Sequence, residues 1–109
     1  MSKHLETATL SVGNFWIDFV NLRTEIYDDD EQVESNEKGT RVPVSVGIGT
    51  PVEDAFRRDL TINTLFYNLQ SEKVEDFTEM GLKDLNAKVV RTPIDPLQTF
   101  MDDPLRVLR

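Results

Sequence analysis

Apolar and polar positions change their period several times along the chain, and each change marks an element. Leu5 to Val12 alternates loosely and is rich in Thr and Val, while Asn14 to Leu22 reads Asn-Phe-Trp-Ile-Asp-Phe-Val-Asn-Leu. Both predict strands, joined at Gly13 by a tight turn. In the second strand Phe15, Ile17 and Phe19 share one face, and Trp16, Val20 and Leu22 share the other. Two apolar faces predict a central strand covered on both sides. Asp18 then falls between Trp16 and Val20 on a buried face, where a carboxylate needs a hydrogen-bond partner, a cation or a shifted pKa. Either it pairs with a neighbouring arginine or caps backbone groups, or it belongs to a metal or catalytic cluster at the mouth of a sheet.

From Tyr27 to roughly Thr50 the pattern dissolves into an acidic run, then Ser-Asn-Glu-Lys-Gly, then a Val/Gly/Pro stretch. This predicts a long flexible loop. Asp28 and Asp30 form an Asp-x-Asp pair, but catalytic metal carboxylates need a rigid platform, so the pair reads as solvated loop. Thr50 as N-cap and Pro51 as first helical residue open a helix that the spacing of Val52, Ala55, Phe56, Ile62, Leu65, Phe66 and Leu69 carries to Leu69. Val74 to Phe77 reads as a short strand, Gly81 to Leu85 as a turn into a short helix, and Val89 to Arg91 as extended chain. Pro93 and Pro96 break anything longer. Asp102 to Arg109 reads as a helix start with Asp103 as N-cap and Pro104 as first helical residue. A helix ending after one or two turns cannot hold itself in water, so the chain is expected to be a fragment of something larger. Strands interleaved with helices make the fold class α/β (α+β), a mixed sheet with helices.

Composition narrows this picture. With 109 residues there is room for one domain and a modest core. The absence of cysteine excludes a disulfide framework and a thiolate metal site, and the single histidine, His4, cannot build a zinc site. No apolar run approaches the ~20 residues of a membrane span, and Met1 to Glu6 lacks the apolar core of a signal peptide. The net charge is −8, of which −6 sits between Glu25 and Lys38, where seven acids meet one base. The acidity is therefore local. No broad basic patch remains either, so any bound RNA must find its main phosphate contacts elsewhere.

Candidate chemistry lies on two segments. On a helical wheel of about 100° per residue, Arg57 faces solvent while Arg58, Asp59 and Asn63 fall within the apolar stripe. Buried polar groups need partners. Either these three satisfy internal groups, or the helix lines a cleft where a guanidinium binds phosphate or sugar oxygens and Asp59 accepts from a ribose hydroxyl. Arg106 and Arg109, three apart, share a face suited to a triphosphate or a base edge. Asp103 caps the helix, or it orients an arginine or meets the substrate.

Arg57-Arg58-Asp59-Leu60-Thr61-Ile62-Asn63-Thr64-Leu65 resembles the RRDxTINAL motif of class II tRNA nucleotidyltransferases and the related bacterial poly(A) polymerases. Asp102-Asp103-Pro104-Leu105-Arg106-Val107-Leu108-Arg109 is similar to their DDPLRxLR motif. Val74 to Phe77, Gly81 to Leu85 and Val90 to Pro93 resemble the family pattern between the two, in order and spacing. His4 to Ala8 and Asp18 to Arg23 resemble the eukaryotic-type members.

The resemblance implies a partial nucleotidyltransferase head (palm) domain over residues 1–100, with a flexible acidic loop at about 27–50 and the start of a neck helix at 101–109. It implies nucleotide-binding roles for Arg58, Asp59, Asn63, Asp103, Arg106 and Arg109, with Asp59 near the ribose, and makes Asp18 a candidate supporting carboxylate. The family's reaction joins CTP or ATP to the tRNA 3′ end, so tRNA, CTP and ATP are the implied partners, with no membrane. In the complete enzyme Mg²⁺ is the implied cofactor. The paired metal-binding aspartates of the family's GGxVRD and DxD segments are not present, so the isolated chain is expected to be inactive. An intracellular location follows, without choosing among cytoplasm, mitochondrion and nucleus. Two other readings stay open: a poly(A) polymerase of the same superfamily, and a non-catalytic domain that binds nucleotides or a protein partner.

Overall fold

A computed structural model describes residues 7–26 and 45–109. His4, the Asp28/Asp30 pair and most of the acidic segment lie outside the described residues. Strand β1 (Thr7–Val12) pairs antiparallel with β2 (Phe15–Val20), Thr9 opposite Asp18. Gly13 makes the tight turn at φ +59°, a backbone region that a side chain disfavours. Strand β3 (Arg23–Ile26) pairs antiparallel with β4 (Ser45–Ile48). The second of these replaces the tail of the loop expected to run to Thr50. Gly49 closes the pair: its amide donates to Leu22 O at 2.9 Å. A Cβ at Gly49 would stand 2.7 Å from the backbone of Arg23 and Thr24, so only glycine allows this approach.

Helix α1 (Pro51–Phe56) starts as the sequence indicates, with Thr50 and Glu53 forming a reciprocal capping box and Pro51 in the first turn. It does not reach Leu69. After Arg57 the chain leaves the helix, makes a single 3₁₀ turn at Thr61–Asn63 and enters β5 (Phe66–Asn68), which pairs with β6 (Lys73–Glu75). Tertiary partners take the groups a continuous helix would have used. Leu60 is extended and its amide donates to its neighbour's carboxylate, Asp59 Oδ1, at 2.9 Å. The Thr61 amide donates to Arg91 O at 2.8 Å, and Thr61 Oγ1 donates to Asp84 Oδ2 at 2.7 Å. Branched Thr61, Ile62 and Thr64 offer little helical resistance to this.

Helix α2 (Gly81–Ala87) follows, and its Asp84 also receives Arg91 Nη2 at 2.8 Å. One buried carboxylate thus ties the 3₁₀ turn, α2 and the 91 segment together. Helix α3 (Pro96–Asp102) occupies the stretch the prolines were expected to break; Asp95 caps it, and Pro96, at the first position, has no amide to waste. A 3₁₀ helix at Pro104–Leu108 ends the chain, with Asp103 as its cap.

The α/β class therefore holds, and among the described residues the strands pair as three two-stranded antiparallel sheets. The interior is unusually polar. Ala55 is the one buried hydrophobic among the described residues, beside buried Asp54, Asp59, Asp84 and several threonines. Strand β2 is not covered as expected: Phe15, Trp16, Ile17, Phe19 and Val20 are all exposed. The β1–β2 hairpin packs substantially only upon itself, so neither of its faces is closed by another described element.

Candidate nucleotide-binding site

The two arginine-bearing segments meet. Glu25, Arg57, Arg58, Asp59, Asn63, Asp103, Arg106 and Arg109 line one cavity of about 580 Å³. Six of these are the positions singled out in the sequence, drawn from residues 58–63 and 103–109. Asp18 is not among them. It lies on the open hairpin, exposed rather than buried, with Thr9 Oγ1 donating to its Oδ1 at 2.7 Å, and it lines a second, separate cavity beside Tyr67 and Leu69. The expected burial fails because the strand that carries it is uncovered.

Asp59 is 4% exposed. It accepts Asn63 Nδ2 at 3.0 Å on one oxygen and Arg109 Nη1 at 2.7 Å on the other. Asn63 itself is exposed, so the helical wheel misplaced it: the break at Leu60 turns it outward. Arg109 is mostly exposed, free to exchange Asp59 for another anion. Arg106 is nearly buried and gives Nη2 to Arg57 O at 3.1 Å and Nη1 to Thr99 O at 3.3 Å. Those donors hold the last 3₁₀ helix onto the end of α1 and to α3. Asp103 both caps that helix, accepting the Leu105 amide at 3.1 Å, and faces Arg106 at 3.8 Å.

Arg57 was expected in solvent and is instead drawn inward, its guanidinium bonded to Asp54 and 3.4 Å from Glu25. Asp54, which the sequence reading missed, is the reason. Its carboxylate, 1% exposed, also accepts Arg58 Nε and Nη2 at 3.2 and 2.7 Å and the Arg23 amide at 3.2 Å. The signal was available: an aspartate three and four residues before two arginines is a helical ion-pair spacing.

Burial raises the pKa of Asp54, but the hydrogen bonds from Arg58, Arg57 and Arg23 outweigh it and hold the carboxyl below its ordinary value. Asp59 behaves alike, with burial outweighed by Asn63, Arg109 and the Leu60 amide. A carboxylate depressed in the folded state contributes stability above its unfolded pKa and loses it as pH falls through the folded one. Thermal stability is therefore expected to be level near neutral pH and to fall below about pH 4. Asp59→Asn should flatten the acid side of a Tm-against-pH curve; an unaltered chain showing no acid slope contradicts this.

Chemically, four guanidinium groups around one cavity suit phosphate oxygens, and the carboxylates between them supply acceptors for hydroxyl groups. Among the described residues no three His, Cys, Asp or Glu side chains converge to hold a metal ion. The described residues of the cavity therefore do not assemble a metal centre among themselves.

Residues 1–91 match the family described as the Poly A polymerase head domain. The chain belongs to that family. A tRNA nucleotidyltransferase of Schizosaccharomyces pombe is 56% identical over 99% of this head-domain chain, which spans 20% of the relative. The mitochondrial CCA tRNA nucleotidyltransferase of Saccharomyces cerevisiae is 54% identical over 99% of the chain, 18% of its own length. Among solved structures, an apo form of a CCA-adding enzyme superposes with a TM-score of 0.66 at 27% identity, covering 97% of the chain and 25% of that structure. The chain thus spans about one fifth of the length of these curated relatives. No helix among its described residues is long and apolar enough to cross a membrane.

Proposed function

We propose that the chain supplies the nucleotide-recognition face of an enzyme that adds CCA to tRNA 3′ ends from CTP and ATP. The observation that carries this reading is the convergence of Arg58, Asp59, Asn63, Asp103, Arg106 and Arg109 on one guanidinium-rich cavity. Arg58 and Arg109 have the exposure to meet triphosphate oxygens, and Asp59 the acceptor capacity to hold a ribose hydroxyl. Arg106 and Asp103 set the position of the segment that carries Arg109.

In the proposed reaction the tRNA 3′-hydroxyl attacks the α-phosphate. A phosphodiester forms, the α–β bond breaks, and pyrophosphate leaves. Divalent metals are general to nucleotidyltransferases of this family; Mg²⁺ is our proposal for the complete enzyme, held by side chains other than those described. Asp18 remains a proposed supporting carboxylate on the open hairpin. Residues 1–100 are proposed as part of the head and 101–109 as the entry to a helical neck. The family description leaves poly(A) addition as an alternative, but the two yeast tRNA nucleotidyltransferases above 50% identity favour tRNA as substrate.

The test is a graft. The matching segment of the fission-yeast enzyme is replaced by this chain and supplied with tRNA lacking CCA, labelled CTP or ATP, and Mg²⁺. Ordered addition of C, C and A is the expected result; poly(A) tails on any RNA, or no addition by a folded graft, overturn it. The 109-residue chain alone is expected to incorporate nothing.

A further inference from the structure

Asp54 does not line the cavity, yet two of the cavity's four arginines, Arg57 and Arg58, are organised around it. Four guanidinium nitrogens end on its two oxygens, Nε and Nη2 of Arg57 on Oδ1 and Nε and Nη2 of Arg58 on Oδ2. We propose that Asp54 is a positioning residue for nucleotide recognition, acting through Arg58; the inference rests on the nucleotide reading of the cavity.

The geometry of a guanidinium carries the argument. Its donors lie in one plane, so fixing one edge fixes the direction of the rest. Asp54 takes the Nε–Nη2 edge of Arg58, while Nη1 makes no hydrogen bond among the described residues and Arg58 lines the cavity. The Arg58 guanidinium also lies 5.4 Å from the Phe66 ring centroid, which restrains the same group from a second side. What remains for a ligand is the Nη1–Nη2 end, itself a pair of donors matched to phosphate oxygens. An arginine held this way loses less side-chain freedom when the ligand arrives.

Asp54 is in turn held from outside the helix. The Arg23 amide donates to its Oδ1, so the start of β3 fixes the carboxylate that fixes the arginine. Glu25 on the same strand bonds Arg57, which keeps that guanidinium on the Oδ1 side. A merely structural ion pair would stabilise the fold but leave ligand affinity in the folded protein unchanged.

The experiment is equilibrium dialysis of the full chain with ATP and with CTP, for the unaltered protein, Asp54→Asn, Arg58→Ala and the double variant, with denaturation curves run beside it. Asp54→Asn keeps the shape and removes the charge. Affinity is expected to fall about tenfold or more, and the double variant to bind no more weakly than Arg58→Ala alone. Unchanged affinity in Asp54→Asn, or losses that simply add in the double variant, overturn the positioning role and leave the cavity reading standing. Failure of the unaltered chain to bind either nucleotide overturns the cavity reading and this inference with it. If Asp54→Asn does not fold, Arg58→Lys decides the matter, because it keeps the charge but cannot grip Asp54 and face the cavity together. Native affinity in that variant overturns the proposal.

Discussion

Replacing Asp84 with Ala is expected to destabilise the protein by about 2–3 kcal/mol, the scale of losing hydrogen bonds to a charged acceptor. The carboxylate is 1% exposed and accepts Thr61 Oγ1 and Arg91 Nη2 on its two oxygens. Without it the fully buried Thr61 hydroxyl loses its acceptor, which is the costly half of the change. Arg91 is half exposed and can rehydrate, so the loss stays below that of a fully buried pair. Asp84→Asn keeps one acceptor oxygen and should lose less. Urea unfolding midpoints of the three proteins check the order; an Ala variant within about 0.5 kcal/mol of the parent, the range of ordinary surface changes, refutes it.

Arg58→Ala should weaken nucleotide binding by about tenfold to a hundredfold, the worth of one charge-assisted hydrogen bond or a bidentate pair. In the grafted enzyme the loss is expected in KM and in kcat/KM, because on the proposed reading the guanidinium would meet the triphosphate in the ground state as well as in the transition state. Folding should suffer less. Asp54 Oδ1 keeps Arg57 and the Arg23 amide when Arg58 is gone, so the buried carboxylate retains a cation although Oδ2 loses the Arg58 donors. An unchanged dissociation constant together with an unchanged KM removes Arg58 from the site.

The two effects differ in how visible they were beforehand. Arg58 and Arg109 stand out in the chain because their motifs resemble a known family, because Arg58 falls within an apolar stripe, and because Arg109 shares a helical face with Arg106. Asp84 and Arg91 lay within segments matched to the family pattern, but neither residue carried a periodicity that would announce a buried ion pair. Their bond depends on where α2 is placed against the 3₁₀ turn. Asp54 stood between the two cases, since its helical spacing to both arginines was legible but its burial was not.

Local signals were read well where the physics is local. Thr50 and Pro51 specify a helix start through groups adjacent in the chain, and the structure adds Glu53, which completes a capping box with Thr50. Gly13 specifies a turn through its own backbone freedom, and Asp103 with Pro104 starts the final 3₁₀ helix. The strand patterns over Leu5–Val12 and Asn14–Leu22 meet the β1–β2 hairpin over residues 7–20, its register pinned by that same turn.

The errors share one cause. The apolar spacing from Val52 to Leu69 is helical, yet the amides of Leu60 and Thr61 find better partners in Asp59 and in Arg91, about thirty residues further on. Strand β4 was invisible because its pairing partner, β3, precedes the long acidic segment. The faces of β2 were read as covered because apolarity records what a residue prefers, while burial depends on another element being there.

By itself, then, the sequence determined the family, most caps and turns, the tight turn at Gly13 and three of the cavity's four arginines, Arg58, Arg106 and Arg109. The tertiary structure alone decided that residues 58–63 and 103–109 meet, that Asp54 grips both Arg57 and Arg58, and that Asp18 lines a separate, open cavity. The division follows from range. Capping, turn and motif chemistry act within a few residues and can be read along the chain. Buried carboxylates and shared cavities depend on segments up to about fifty residues apart, as with Asp59 and Arg109, and only folding brings those together.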